Sequence, residues 1–124
     1  MARHLVVDGA NVVGSRPDGW WRDRAGAATR LAWQLVAALD AGALDADVVH
    51  LVLEGAARAA EQPEHERLSV VRAPADGDSA IVALAADLAA DPDNDVTVVT
   101  ADRGLRARLR ARTVGPGSLL ASLP

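Results

Sequence analysis

Residues 4–11 read His4-Leu5-Val6-Val7-Asp8-Gly9-Ala10-Asn11, an apolar run that ends abruptly in an acid, a glycine and, two residues on, an amide. A strand exposed on one face alternates apolar and polar side chains, whereas a strand covered on both faces is apolar throughout. His4–Val7 therefore predicts a buried strand of a parallel sheet, with Gly9 letting the backbone turn at its end. Val48–Leu53, Leu68–Val71 and Val96–Thr100 have the same character, and Thr113-Val114 offers a short fifth strand.

Helical segments separate these runs. Arg24–Ala41 carries Leu31, Leu35 and Leu39 on one face, with Gly42 as a stop signal. Ser79–Ala90 carries Ile81, Leu84 and Leu88 and ends before Pro92. Gly104–Ala111 sets Leu105 and Leu109 on one side and Arg106, Arg108, Arg110 and Arg112 largely elsewhere. Gly115-Pro116-Gly117 opens a last turn of helix. Strand–helix alternation of this kind implies βαβ units. The expected fold is one α/β domain over residues 1–124, a parallel sheet of four to five strands with helices on both faces.

Composition narrows the function. With 124 residues, half of them apolar and 24% charged, the chain can bury a core without staples. The absence of cysteine excludes disulfides, iron–sulfur clusters, thiolate zinc and cysteine catalysis. No apolar run nears the ~18 residues of a membrane span. Met1–Asp8 has too few apolar residues for a signal segment, so the expected address is the cytoplasm. The net charge of −4 argues against a generally basic nucleic-acid binder. All 13 cations are arginine, however, and five of them lie between Arg103 and Arg112, making one local basic patch. The preference for arginine over lysine, and for alanine, runs along the whole chain and reads as host composition.

Ligands of an open parallel sheet bind beyond the carboxyl ends of its strands, so the residues after each strand matter most. They are Asp8-Gly9-Ala10-Asn11, Glu54-Gly55, Asp76-Gly77-Asp78 and Thr100-Ala101-Asp102-Arg103-Gly104. Each acid taken singly has a plain structural use, because Asp and Asn are favoured helix caps and turn residues. An acid such as Glu54 at a strand end is often merely solvated. Together they are harder to explain, since carboxylates gathered at one edge raise one another's pKa unless a cation sits among them. Hard oxygen donors suit Mg²⁺ or Mn²⁺, and the three scattered histidines, His4, His50 and His65, do not suggest zinc. The chemistry that fits is metal-assisted attack of water on a phosphodiester.

At these residues the chain resembles the PIN-like nucleases, specifically the NYN branch that includes YacP-like ribonucleases. The matching stretches are Val6–Val13, Asp76–Ile81 and Val98–Leu105, which in order span the domain. The resemblance implies Mg²⁺- or Mn²⁺-dependent hydrolysis of single-stranded or structured RNA. It implies Asp8 as the central metal ligand, with Asn11 holding its loop or a metal-bound water. It further implies Asp78 and Asp102 as the remaining catalytic acids and metal ligands. Asp76 can substitute for or assist Asp78, and Glu54 sits where some relatives carry another acid. A homodimer or a protein partner is also compatible with the family. The acidic net charge departs from what an RNA-cleaving domain ordinarily carries.

The stretch Gly14–Arg24 leaves the first strand at the same edge. Trp20 and Trp21 offer faces for base stacking, worth about 1–3 kcal/mol per base in single-strand binders. Arg16, Arg22 and Arg24 offer phosphate contacts. The competing expectation is that one tryptophan covers the core while Asp23 caps the following helix. Trp33 is expected in the core. Arg103 either clamps the scissile phosphate or pairs with an acid, and Arg106 to Arg112 form either a solvated face or an RNA track. The alternative to a ribonuclease is a catalytically weak or inactive PIN-like module that binds RNA or protein. A phospho-acceptor receiver domain is disfavoured by the lack of lysine and of an acidic pair after the first strand. A dinucleotide fold is disfavoured because no Gly-x-Gly-x-x-Gly follows that strand.

Overall fold

A computed structural model describes all 124 residues and contains the parallel sheet expected from the apolar runs. Its strands are β1 (Ala2–Asp8), β2 (Val48–Leu53), β3 (Leu68–Arg72), β4 (Asn94–Val99) and β5 (Arg112–Val114). They lie in the order β3-β2-β1-β4-β5, every pair parallel. The chain thus starts in the middle of the sheet, builds outward through β2 and β3, then returns to build β4 and β5 on the other side. The reversal falls between β1 and β4, and connections diverging to opposite faces there leave a crevice beyond the strand ends.

The helices are α1 (Gly9–Gly14), α2 (Arg24–Asp40), α3 (Gly77–Ala89), α4 (Arg103–Arg108) and α5 (Pro116–Leu120), with 3-10 turns at Trp20–Arg22 and Gly55–Ala59. Leu31, Leu35 and Leu39 of α2 are buried with Val7, Leu51, Val12 of α1 and Leu119 of α5 in the larger core cluster. Ile81 of α3 and Leu105 of α4 are buried with Val6, Val52 and Val98 in a smaller cluster on the opposite face. Consecutive residues of one strand, Val6 and Val7, feed the two clusters, which is why the run cannot alternate with polar residues.

Three expectations need correction. Trp33 is 54% exposed rather than in the core. It follows Leu31 by two residues, about 200° round the helix, so a face that buries Leu31, Leu35 and Leu39 turns Trp33 outward. The turn expected at Gly9 is the start of a helix that the apolar pattern did not reveal, α1, and Gly9 does not have a positive φ. Its lack of a side chain serves close packing instead, because a Cβ there would stand 2.6 Å from the Val52 carbonyl oxygen. The helix expected over Gly104–Ala111 stops at Arg108, since the chain extends at Leu109 to begin β5. Gly42 ends α2 with φ +68°, as a stop signal should.

Candidate functional site: a carboxylate edge at the β1–β4 crevice

β1 and β4 pair Val6 with Val98 and Val7 with Val99, so Asp8 and Thr100 come next in that register. The Thr100 hydroxyl donates to Asp8 Oδ2 at 2.8 Å, and Asp8 Oδ1 accepts from the Asn11 backbone N–H at 3.3 Å, capping α1. Thr100 is fully buried and Asp8 is 5% exposed. Thr100 Oγ1 also accepts from the Asp102 backbone N–H at 3.1 Å, while its backbone carbonyl accepts from Arg106 Nε at 2.9 Å. The Asn11 side-chain oxygen accepts from the Ala101 N–H at 2.8 Å. The loops after β1 and β4 are therefore cross-braced by side chains and hold their acids in fixed relation.

The remaining acids arrive from the neighbouring strands. Glu54, just past β2, accepts from the Gly77 N–H at 3.1 Å and joins the β2 end to the start of α3. A Cβ at Gly77 would lie 3.0 Å from Glu54 Oε1, so this approach depends on glycine. Asp78 is half-buried in the first turn of α3. Burial raises the Asp8 carboxyl above its ordinary pKa against the pull of its two hydrogen bonds, and the charges of Asp78 and Glu54 add to the rise. Asp78 is raised by burial, then by the charges of Asp102 and Glu54, with Arg108 opposing. Asp8 is thus within electrostatic reach of Asp78 and Glu54, and Asp78 of Glu54 and Asp102. None of the ion pairs in the structure reaches them.

Asp76 and Asp78 play different parts. Asp76 caps α3, its Oδ1 accepting from the Ser79 N–H at 2.7 Å, and those hydrogen bonds hold its carboxyl below the ordinary range. Asp102 combines both uses, capping α4 through the Leu105 N–H at 2.9 Å while adding its charge to the repulsion at Asp78.

All donors at this edge are oxygens, as hard divalent cations prefer. No set of three His, Asp or Glu side chains is arranged to hold a metal ion. The residues present fit the Mg²⁺ pattern of one or two carboxylates completed by waters and phosphate oxygens.

The flanking residues separate clearly. Trp20 packs against the larger core cluster, whereas Trp21 is 55% exposed and meets Trp20 edge to face. Arg24 lies over the Trp20 ring at 5.2 Å and Arg22 over Trp21 at 5.8 Å. Asp23 caps α2 through the Gly26 N–H. Arg16 is committed to Gln34 of α2 at 2.8 Å. Arg103 is exposed and makes no hydrogen bond or ion pair.

Sequence does not single out Thr100, and it reads Arg106 and Arg108 only as members of an arginine run. Thr100 reads as one more β-branched strand residue, and only its position opposite Asp8 gives its hydroxyl a role. Arg106 braces the loop that carries Asp102. Arg108 reaches Ser79 Oγ at 3.4 Å, which sets its charge near Asp78.

No protein-family model matches the chain, and no curated protein sequence matches it either. No helix is long and apolar enough to cross a membrane.

Proposed function

We propose that this chain is a metal-dependent ribonuclease that hydrolyses RNA phosphodiester bonds at the carboxylate edge. The observation that carries the proposal is the arrangement around Asp8. A buried acid sits at the reversal point of a parallel sheet, held on both oxygens, with the charges of Asp78 and Glu54 acting on it, that of Asp102 acting on Asp78, and no ion pair among them. A fold leaves such repulsion in place at a cost in stability, and a bound cation is the simplest source of compensation. The resemblance of Val6–Val13, Asp76–Ile81 and Val98–Leu105 to the NYN branch of the PIN-like nucleases points the same way.

In this reading one or two of Asp8, Asp78 and Asp102 would bind Mg²⁺ or Mn²⁺ directly and the rest through waters, with Glu54 adding negative charge beside them. When bound, the ion would lower the pKa of a water and offset charge on the scissile phosphate. Asp8 must be ionised to serve, and its hydrogen bonds from Thr100 and Asn11 favour that form. Asn11 acts as a positioning residue by fixing the 101–102 loop. Arg103 and Arg108 supply positive charge for the RNA backbone. Water adds to phosphorus, one P–O ester bond breaks, and the fragments carry a phosphate monoester and a hydroxyl. The address proposed for this activity is the cytoplasm.

One observation favours a second reading, a PIN-like module that binds RNA or protein with little turnover. Asp8 and Asp102 both serve as helix caps, and no three acids are pre-arranged round one ion. Cleavage of end-labelled single-stranded RNA in Mn²⁺, Mg²⁺ or EDTA separates the two. Metal-dependent cleavage that is lost in Asp8→Asn supports the nuclease. RNA binding without turnover by folded protein in either metal supports the binding module.

A further inference from the structure

Beside the carboxylate edge, where α1 meets α2, lies a cavity of about 330 Å³ whose lining includes Gly9, Ala10, Trp20, Arg24, Leu53 and Ala57. That is the small end of the roughly 300–1,000 Å³ typical of ligand sites. Its walls are mainly apolar, and Trp20 is a firm wall because it packs onto the core. Arg24 is held over the Trp20 ring and makes no hydrogen bond or ion pair within the chain, so its N–H donors are free for a ligand. The other ionisable residue at the cavity, Glu54, is bonded to the Gly77 N–H on α3. Gly9 and Ala10 follow Asp8 directly, which sets the cavity next to the proposed reaction centre.

A ligand matched to this lining has a flat, largely apolar ring joined to an anion. We infer that the cavity is a nucleotide subsite, in which a base packs against the Trp20–Arg24 pair while Arg24 holds an attached phosphate. Bases stack on aromatic rings and on arginine planes alike. Few polar groups line the cavity to read base edges, so the subsite tolerates all four bases and favours purines through their larger stacking area. As a substrate-binding feature of an RNA-cleaving enzyme the inference rests on the ribonuclease reading, but binding itself can be measured without catalysis.

The test follows the three tryptophan indole N–H signals by ¹⁵N NMR in EDTA, assigned with single Trp→Phe variants. The ligands are 5′-AMP, adenosine, ribose 5-phosphate and an oligoadenylate of four nucleotides. Saturable movement of the Trp20 signal by 5′-AMP, and little by ribose 5-phosphate, is expected. Tighter binding of the oligonucleotide than of 5′-AMP assigns the subsite to an RNA strand; equal binding assigns it to free nucleotide. Ala57→Phe fills the cavity and should weaken 5′-AMP about 5- to 150-fold, the span of one lost stacking contact. Arg24→Gln covers the case that Ala57→Phe fails to fold, and should weaken 5′-AMP while sparing adenosine. A Trp20 signal unmoved by every nucleotide overturns the inference, as does binding unchanged in both variants. RNA cleavage by the same proteins separates the two failures. Metal-dependent cleavage with an unchanged KM in folded Ala57→Phe sinks the subsite alone, whereas Trp20 movement without any cleavage sinks the nuclease alone.

Discussion

Thr100→Val is the sharpest probe of how the carboxylate edge is held. Valine keeps the branched shape and removes only the hydroxyl, which donates to Asp8 at 2.8 Å and accepts from the Asp102 N–H at 3.1 Å. A buried hydrogen bond to a charged group contributes about 1.5–3 kcal/mol and an ordinary one about 0.5–1.5, so the expected loss at pH 7 is about 2–4 kcal/mol. Domains this size commonly have 5–15 kcal/mol of stability, so the variant should remain folded. The loss should also depend on pH. Thr100 stabilises the ionised form of Asp8, so removing it raises the folded pKa of a carboxyl already above the ordinary 3.8. Well below pH 3.8 Asp8 is neutral in both folded and unfolded chains, and the two hydrogen bonds lost are both ordinary ones, about 1–3 kcal/mol together. The difference between variant and wild type should therefore grow as pH rises from 3 to 7. Urea titrations at several pH values measure it as a shift in midpoint at constant slope. A loss under about 1 kcal/mol at pH 7, or one independent of pH, would refute the stated role of Thr100. In the ribonuclease reading the same substitution also moves the acid limb of the activity profile to higher pH.

Four further outcomes follow from neighbouring features. His50 is buried with its Nε2 2.9 Å from His4 Nδ1, and burial, then the charge of His4, lowers its pKa from 6.5 to about 4. The unfolded chain binds that proton more readily, so the fold should lose up to roughly 3 kcal/mol as pH falls from 6.5 to 4, and His50→Leu should flatten that part of a urea-stability profile. Asp78→Asn removes a carboxylate repelled by Asp102 and Glu54 and should raise the thermal midpoint in EDTA. Wild type in Mn²⁺ at 100 times its Kd should gain about 2.7 kcal/mol, and Asp78→Asn much less; equal gains would remove Asp78 from the ligand set. Asp76→Ala should cost about 0.5–2 kcal/mol as a lost cap yet leave kcat for RNA cleavage near wild type, and a collapse of kcat in folded protein would give Asp76 a chemical role. Trp33→Ser, at a side chain 54% exposed, should change stability by no more than about 0.5 kcal/mol in the same titrations.

The sheet was legible because its signal is local. Four of the five strands are apolar runs that needed only to be covered on both faces, and their bounds shifted by two residues or fewer. Two of the three errors, all in helices, arose where the signal was ambiguous. Aromatic content placed Trp33 in the core, but helical phase, set by Leu31, Leu35 and Leu39, decided otherwise. The short α1 was invisible because Gly9 weakens helix propensity, and only the approach of Val52 explains the glycine. The acids could be listed by position, but which oxygen meets which hydrogen depends on pairing residues some ninety positions apart. Thr100 was missed for that reason. Asp76 and Asp78 stayed equivalent for a local reason, because either could cap α3 and only the position of its first turn makes Asp76 the cap.

Capping and metal binding look like rival explanations for these acids, yet the geometry lets one residue do both. A carboxylate has two oxygens and about four lone-pair directions, and the cap of α4 occupies one direction on Asp102 Oδ1. Asp8 accepts one hydrogen bond on each oxygen, which leaves lone pairs on both. A cap also locks the side chain, so an acid fixed by its helix needs less ordering to meet a cation than a free one does. Repulsion distinguishes this edge from ordinary capping. Asp23 caps α2 through its Oδ1, and Asp76 caps α3 with its pKa lowered by the bond it accepts. Asp8 and Asp78 are raised, because burial and neighbouring carboxylates outweigh the two hydrogen bonds Asp8 accepts and the charge of Arg108 near Asp78. Repulsion at Asp8 and Asp78 costs stability that helix capping does not explain, and it is on that cost that the proposed cation site rests.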